Sequence, residues 1–347
     1  MVNSFVMRIV HALSGQKTWA QSDPKRTVDR PMRFGATPQQ VLVTGGTGFI
    51  GQLLVRRLLA DGHTVTIWTR DAQAATRLFG STVRCVQRLD QMPATDDCDV
   101  IVNLAGARIL GPRWSEQRQR QLLQSRAGLT DQLVAWIATR PRKPWLLLSA
   151  SAIGYYGVQP QGDATELTEA APPQDIFMSR LCQEWERAAQ GAARHGVQVV
   201  CMRFGFVLGR HGSLPLLLLP VALGMGGPLG GGQQWLSWIH VDDVIRAMAH
   251  VWQLEAQAKA GGADRVTSPV YNFTAPGALT QAAFTRVAAK VLHRPFWLPT
   301  PAIPARLALG EQADVVLEGQ RVAPTRLLQT GFDFAFPDAH SALRDLC

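Results

Sequence analysis

Short, almost continuously apolar runs rich in β-branched residues alternate along the chain with longer stretches whose apolar positions recur every three or four residues. The runs at 41–44, 64–68, 83–86, 100–104, 145–149 and 197–202 read as strands buried on both faces. Helical spacing fills the intervals at 49–60, 72–79, 115–138 and 177–194. Strands alternating with helices at this spacing predict right-handed βαβ units, so the expected fold is α/β, a doubly wound parallel sheet of Rossmann type.

After Arg203 the texture changes. Residues 211–237 are rich in glycine, proline and leucine, including the glycine-dense 224–232, and predict a mobile loop over a cleft. A helix is expected to begin at Asp242 or Asp243, with Val244, Ile245, Met248 and Val251 on its apolar face. A helix over 279–292, a proline-punctuated stretch over 295–304 and two further short helices complete the chain. The division expected from this is a flexible basic extension over 1–38, a dinucleotide-binding domain over 39–210 to which the 240–254 helix also packs, and a smaller C-terminal substrate lobe over 211–347. The extension has no periodic apolar face to bury, so it is expected to be dispensable for the core fold.

Charge sharpens this division. The net charge is +9, and residues 1–38 carry six Lys/Arg against Asp23 and Asp29, so +4 of it sits in the extension. Being basic and poor in acid, that segment has an organellar transit peptide as its alternative reading; otherwise the protein is expected to be cytoplasmic. The longest apolar run, 214–225, is too short for a membrane span and contains Pro215 and Pro220, so no membrane partner is expected. Nor is nucleic acid, since only 113–126 is densely basic. The five cysteines are scattered without Cys/His clustering, which predicts no disulfide framework and no metal site.

Candidate chemistry falls at the carboxyl ends of the predicted strands, where open α/β sheets bind ligands. The first strand runs into Gly45, Thr47, Gly48, Phe49, Ile50 and Gly51. Its glycines suit a tight turn, a close backbone approach to a pyrophosphate, and close helix packing, with the helix N-terminus offering N–H groups to the anion. Thr69, Arg70 and Asp71 follow the second strand. A guanidinium there suits the 2′-phosphate of NADP(H), whereas an acid would suit the 2′-hydroxyl of NAD; a solvated surface arginine is the plain alternative. Leu104, Ala105 and Gly106 follow the fourth strand and would let a ribose lie against the backbone, although Gly106 also reads as an ordinary strand-ending glycine. The fifth strand ends in Ser149-Ala-Ser151, with Tyr155 and Tyr156 just beyond. Ser151 and these tyrosines are the candidate catalytic hydroxyls, set against a polar turn with buried tyrosines.

The glycine motif, Asn103-Leu-Ala-Gly106, the serine-bearing strand end and Trp238-Ile-His-Val-Asp-Asp243 together resemble extended short-chain dehydrogenase/reductases of the nucleotide-sugar epimerase type. Arg113-Trp114, Ser125-Arg126, Trp185-Glu186, Arg203-x-Gly205 and the tail with Gln320-Arg321-Val322-x-Pro324 narrow the likeness to the atypical epimerase-like family 39U, over roughly residues 40–345. The resemblance implies an NADP(H) cofactor, with contacts at the glycine loop, Thr69, Arg70, Leu104, Ala105, Gln121 and Arg126, and a small-molecule substrate. For Arg126 the plain alternative is an exposed helix arginine.

Active members of the wider superfamily carry Tyr-x-x-x-Lys. Aligned on Glu186, this chain has Met178 and Cys182 instead, and lysine is absent from 144–258. Neither replacement can shuttle a proton as that pair does, so any chemistry is expected to rest on Ser151 and Tyr155 or Tyr156. The resemblance thus implies an atypical reductase of unknown substrate, or alternatively a regulatory protein that holds NADPH without turnover, since some relatives carry cell-division-inhibitor labels.

Overall fold

The computed structural model describes residues 32–109, 114–262, 268–301 and 317–347. Seven parallel strands form the main sheet: β1 (Gln40–Thr44), β2 (Thr64–Trp68), β3 (Arg84–Val86), β4 (Val100–Asn103), β5 (Leu146–Ala152), β6 (Gln198–Phe204) and β10 (Val270–Phe273). Their spatial order is β3-β2-β1-β4-β5-β6-β10, so the direction of winding reverses between β1 and β4. A doubly wound sheet places its ligand crevice at that reversal.

Each face of the sheet has its own apolar layer. Val41, Val43, Val100, Val102, Leu146 and Leu148 meet α1 (Phe49–Ala60) through Leu54, Val55 and Leu58, and α7 (Val241–Ala260) through Ile245, Met248 and Trp252. Leu42, Ile101, Leu147, Val199 and Cys201 point the other way, toward Leu133, Trp136 and Ile137 of α4 (Leu129–Thr139) and toward Ala189 of α5 (Phe177–Gln190). This two-sided burial is why the strand sequences are apolar throughout.

A third cluster forms the smaller lobe. It joins α6 (Leu214–Ala222), α8 (Gln281–Val291) and the last helix, α10 (Ala339–Leu346), through Leu214, Leu218, Val221, Phe284, Ala288, Ala342 and Leu343. The loop expected over 211–237 is therefore partly helical: Ser213-Leu-Pro places a proline at the start of α6, where its missing N–H costs nothing. Trp235–Leu236 (β8) pairs with Leu279–Thr280 (β11), and Phe206–Leu208 (β7) with Trp238–His240 (β9).

The start of α7 also differs from the expectation. His240 caps it, its Nδ1 accepting from the Asp242 N–H at 3.1 Å. Asp243 is fully buried and turned to the tail, where its two oxygens accept from the N–H groups of Ala335 and Phe336 at 2.8 and 2.9 Å.

Of the expected extension over 1–38, residues 1–31 lie outside the described residues, and the part from Met32 onward packs on the core. Phe34 is buried, edge-on to His63 and Trp252, and its N–H donates to Asp61 Oδ2 at 2.6 Å. Burying such a ring stabilises by about 1.5–3 kcal/mol, enough to anchor the chain there. A single aromatic in a polar stretch carries no periodicity, which is why the sequence pattern does not show it.

Candidate functional site

The β1–α1 turn is shaped by contacts that exclude side chains. Gly45 has φ +69°, and a Cβ there would stand 2.8 Å from the Leu104 carbonyl, backbone against backbone. A Cβ on Gly51 would fall 2.7 Å from Gly46 Cα and 2.9 Å from the Gly45 carbonyl carbon. Helix α1 thus sits directly on the turn. Gly48 is its cap, with no side-chain cap and no acid in the first turn, so the N–H groups of Phe49, Ile50 and Gly51 remain for an anion. The Phe49 ring lies against Gly209 and Gly212, where added methyl groups would clash with it.

A buried polar network sets the adjoining strand ends. Thr44 Oγ1 donates to Asn103 Oδ1 at 2.7 Å and accepts from the N–H groups of Leu104 and Ala105 at 3.1 Å each. Asn103 Nδ2 donates in turn to Thr130 Oγ1 and Ser149 Oγ. The β4 loop is thereby fixed beside the glycine turn, leaving Gly106 exposed along the crevice.

Arg70 is exposed just past β2. Its neighbour Asp71 is committed elsewhere: Oδ1 accepts the Ala74 N–H at 2.8 Å as the cap of α2 (Ala72–Phe79). Thr69 Oγ1 accepts from the Asp71 N–H at 3.2 Å and shapes the same corner. Gln121 lies exposed on α3 (Glu116–Leu123), where its Oε1 accepts from Arg118 at 3.4 Å.

Arg126 is not an exposed helix arginine. Between α3 and α4 the backbone widens into a π-helical turn over Gln124–Gly128, a feature often found at functional sites. Arg126 is there 7% exposed, donating to the carbonyls of Ala107 and Leu122, stacked over Trp185 and close beside Gly106. Burial draws its pKa down to about 10, so it remains a cation at neutral pH. β1 separates β2 from β4, so Arg70 stands past the β2 end and Arg126 beside the β4 loop, on strands that lie about two spacings of roughly 4.8 Å apart.

The three candidate hydroxyls separate into two groups. Ser151 is 1% exposed and donates to Glu186 Oε1 at 2.6 Å. Arg203 grips both oxygens of Glu186, Nε to Oε1 at 2.8 Å and Nη2 to Oε2 at 2.9 Å, and its Nη1 donates to the Tyr156 hydroxyl at 3.0 Å. Tyr156 donates onward to Asn272 Oδ1 at 2.7 Å. Ser151 and Tyr156 therefore belong to a buried network, not to an open catalytic surface. Burial pushes the Tyr156 phenol pKa up, against the pull of Arg203. Burial would also draw the Arg203 pKa down, but the bonds and charge of Glu186 outweigh it and the pKa rises.

Tyr155 remains. It is half-buried, its ring lies flat on the Arg203 guanidinium with 3.3 Å from Cζ to the ring centre, and its hydroxyl has no partner among the described residues. Met178 and Cys182 face the same strand end across Gly154. Cys182 is buried, and burial followed by the nearby Glu186 charge pushes its thiol up to about 12. It is neutral at any ordinary pH and cannot stand in for an ammonium. The Glu186–Arg203 pair has no periodic signature in sequence; what marks it is the position of both residues in the motifs that carry the family resemblance.

An all-parallel 3-2-1-4-5-6-10 sheet with a glycine turn opening a bare helix N-terminus defines a Rossmann protein of the extended short-chain dehydrogenase/reductase type. The profile of the NAD dependent epimerase/dehydratase family matches residues 41–266, and a domain of unknown function, DUF1731, matches residues 300–346. The chain belongs to that epimerase family, in its atypical 39U branch. It is 39% identical to epimerase family protein SSP1921 of Staphylococcus saprophyticus over 88% of this chain and 98% of that one. It is 36% identical to the chloroplastic SDR39U1 homolog of Arabidopsis thaliana, over 88% and 85%. The crystal structure of human SDR39U1 isoform 2 with NADPH superposes with a TM-score of 0.75 at 34% identity, covering 88% of this chain and 98% of that chain. A UDP-galactose 4-epimerase structure, at 19% identity and TM-score 0.66, shares the fold. Among the described residues there is no metal-binding cluster and no helix long and apolar enough to cross a membrane.

Proposed function

We propose that the protein is an NADP(H)-dependent, epimerase-like reductase in which Tyr155 handles the proton. One observation carries the cofactor choice. Arg70 stands exposed beyond β2 while Asp71, the acid that would favour NAD, is used as a helix cap. The glycine turn fits a pyrophosphate because the space a Cβ would fill is closed by backbone and the α1 N–H groups are uncapped. The NADPH bound by human SDR39U1 supports the same reading.

Gly45 to Gly51 would hold the pyrophosphate, Thr69 and Arg70 the 2′-phosphate, and Leu104 to Gly106 the far ribose. Arg126, held beside Ala107 and Gly106 on the β4 side, would serve the nicotinamide half. Gln121 would flank the same half from α3. The cofactor, when bound, supplies or accepts a hydride. Tyr155 O–H would give the accompanying proton to a substrate oxygen, and the Arg203 guanidinium beneath its ring stabilises the phenolate left behind. Ser151 and Glu186 keep that guanidinium in place.

A bidentate Arg70–phosphate contact contributes about 1.5–3 kcal/mol, so NADPH should bind roughly 10- to 150-fold more tightly than NADH. Titration of both cofactors against wild type and Arg70→Ala tests this; equal wild-type affinities would refute it. For turnover, Tyr155→Phe should cost about 10²–10³ in substrate-dependent NADPH oxidation with cofactor affinity retained. Unchanged turnover in that variant would remove Tyr155 from the chemistry. The second reading, an NADPH-holding regulator, is favoured by Met178 and Cys182 at the catalytic pair, and predicts cofactor binding with no such oxidation by any small carbonyl or sugar nucleotide tried.

A further inference from the structure

The smaller lobe carries an apolar face that neither the crevice nor the core uses. Leu216, Leu223, Met225 and Trp297 are 49, 48, 44 and 64% exposed, among the few large apolar side chains so open in the described residues. They belong to one surface. Leu216 lies on α6, Leu223 is that helix's cap, and the Met225 N–H donates back to the Pro220 carbonyl at 2.8 Å. Trp297 is tied to the same turn: its N–H donates to the Gly226 carbonyl at 2.9 Å and its indole Nε1 to the Gly224 carbonyl at 3.0 Å. The indole N–H is therefore satisfied while the ring stands in solvent. An apolar helix end beside a projecting tryptophan is otherwise a solubility liability, and a cluster of this kind marks a contact surface.

The described stretches that build it carry charge of one sign. Residues 187–241 contain no Asp or Glu, and neither do residues 268–301. The second stretch brings Arg286, Lys290, His293 and Arg294 to the C-terminal half of α8 and the turn leading to Trp297; all four are exposed. Arg286 lies over the Phe296 ring, next to Trp297, at 4.7 Å. The acids on neighbouring α10 are engaged elsewhere, Asp338 capping its own helix and Asp345 facing His240. Exposed Leu, Met and Trp rimmed, among the described residues, by cations match an anionic lipid surface, where apolar side chains enter the acyl boundary and basic ones meet headgroups. A second copy of the chain would bring the same cations face to face.

We infer that this face, centred on Leu223, Met225 and Trp297 and rimmed by Arg286, Lys290 and Arg294, docks the protein peripherally on bilayers bearing anionic lipid. The contact lies in the plane of the bilayer and needs no spanning helix.

The test is co-sedimentation of the full chain with phosphatidylcholine vesicles, with and without phosphatidylglycerol. Binding is expected only to the anionic vesicles and should fall with added salt. Lys290→Gln and Arg294→Gln should each weaken it about fivefold at low ionic strength. Leu223→Ser/Trp297→Ser should abolish it while keeping the protein folded, because both side chains stand about half or more in solvent and the indole's bond to the Gly224 carbonyl ties only a surface turn. Brominated lipid should quench part of the tryptophan emission, and Trp297→Phe should remove that part. Equal binding to neutral vesicles, or wild-type binding by the Leu223→Ser/Trp297→Ser variant, would overturn the inference, the latter by assigning adhesion to the basic residues before Met32. Absence of vesicle binding with a dimer on gel filtration that the same double variant dissociates would overturn it in favour of a second copy.

Discussion

Replacing Arg203 by methionine is expected to lower the unfolding free energy by about 3–5 kcal/mol, the usual cost of leaving one partner of a buried ion pair alone. Glu186 would remain as a buried carboxylate with only the Ser151 hydroxyl to answer it, and Tyr156 and Tyr155 would lose the cation that the first bonds and the second stacks upon. At roughly 2–4 °C per kcal/mol for a domain of this general size, the melting temperature should fall by about 6–20 °C. The exposed pair Arg120–Glu116 gives the contrast. Its side chains are mostly in solvent, so Arg120→Met should shift stability by no more than about 0.5 kcal/mol. Thermal unfolding of both variants, with Glu186→Met/Arg203→Met as a third, separates charge from packing. The double variant should regain part of the loss, since removing both charges removes the orphan; equal melting points for Arg203→Met and Arg120→Met would defeat this account of the core.

That network explains which parts of the site were legible in the sequence. The strands, the glycine turn and Arg70 follow from local rules: β-branched runs, a required positive φ at Gly45, a cation after the second strand. The Ser151–Glu186–Arg203–Tyr156–Asn272 chain joins β5 and the turn after it to α5, β6 and β10, with bonded partners as much as 116 residues apart, and no local pattern encodes it. Hence Ser151 and Tyr156, candidate catalytic hydroxyls in sequence, are engaged as buried bond partners, whereas Tyr155 is half-buried, stacks on Arg203 and keeps its hydroxyl outside that chain. Arg126 shows the same limit from the other side. Among neighbouring arginines on a polar helix it reads as solvated, and only the π-helical turn carries it inward to Ala107 and Gly106.

The C-terminal segment shows where a family resemblance outruns local pattern. Gln320-Arg-Val322 has no helical or strand period, yet it straps the turn after β5 to the smaller lobe. Gln320 Nε2 donates to the Gly157 carbonyl, Ser237 Oγ donates to the Gln320 carbonyl and accepts from the Val322 N–H, and Asn272 Nδ2 donates to the Ala323 carbonyl. Residues 319–336 of the domain of unknown function thus pack from the turn after β5, where the Gln159 N–H donates to the Gly319 carbonyl at 3.0 Å, to the start of α7, where Asp243 accepts from Ala335 and Phe336.

The largest effect on cofactor binding should come from Gly51→Val. A Cβ at 51 already meets Gly46 Cα at 2.7 Å and the Gly45 carbonyl carbon at 2.9 Å, and these are backbone atoms that cannot rotate aside. Valine adds two further methyl groups at the same place. The N-terminus of α1 must then move off the turn, and Gly45 cannot follow because Leu104 closes it from the other side. Two or more charge-assisted bonds from the uncapped N–H groups to the pyrophosphate would be lost, at about 1.5–3 kcal/mol each, so affinity for NADPH should drop by more than about 100-fold. Overpacking should also cost about 1–3 kcal/mol of stability. Gly62→Ala is the matched control: it too has positive φ, at +85°, but its Cβ would meet nothing nearer than Pro38 at 3.9 Å. Backbone strain alone should therefore destabilise that variant while leaving NADPH affinity intact. Calorimetric titration of NADPH into both proteins decides the matter, and wild-type affinity in folded Gly51→Val would show that the pyrophosphate does not rest on this turn.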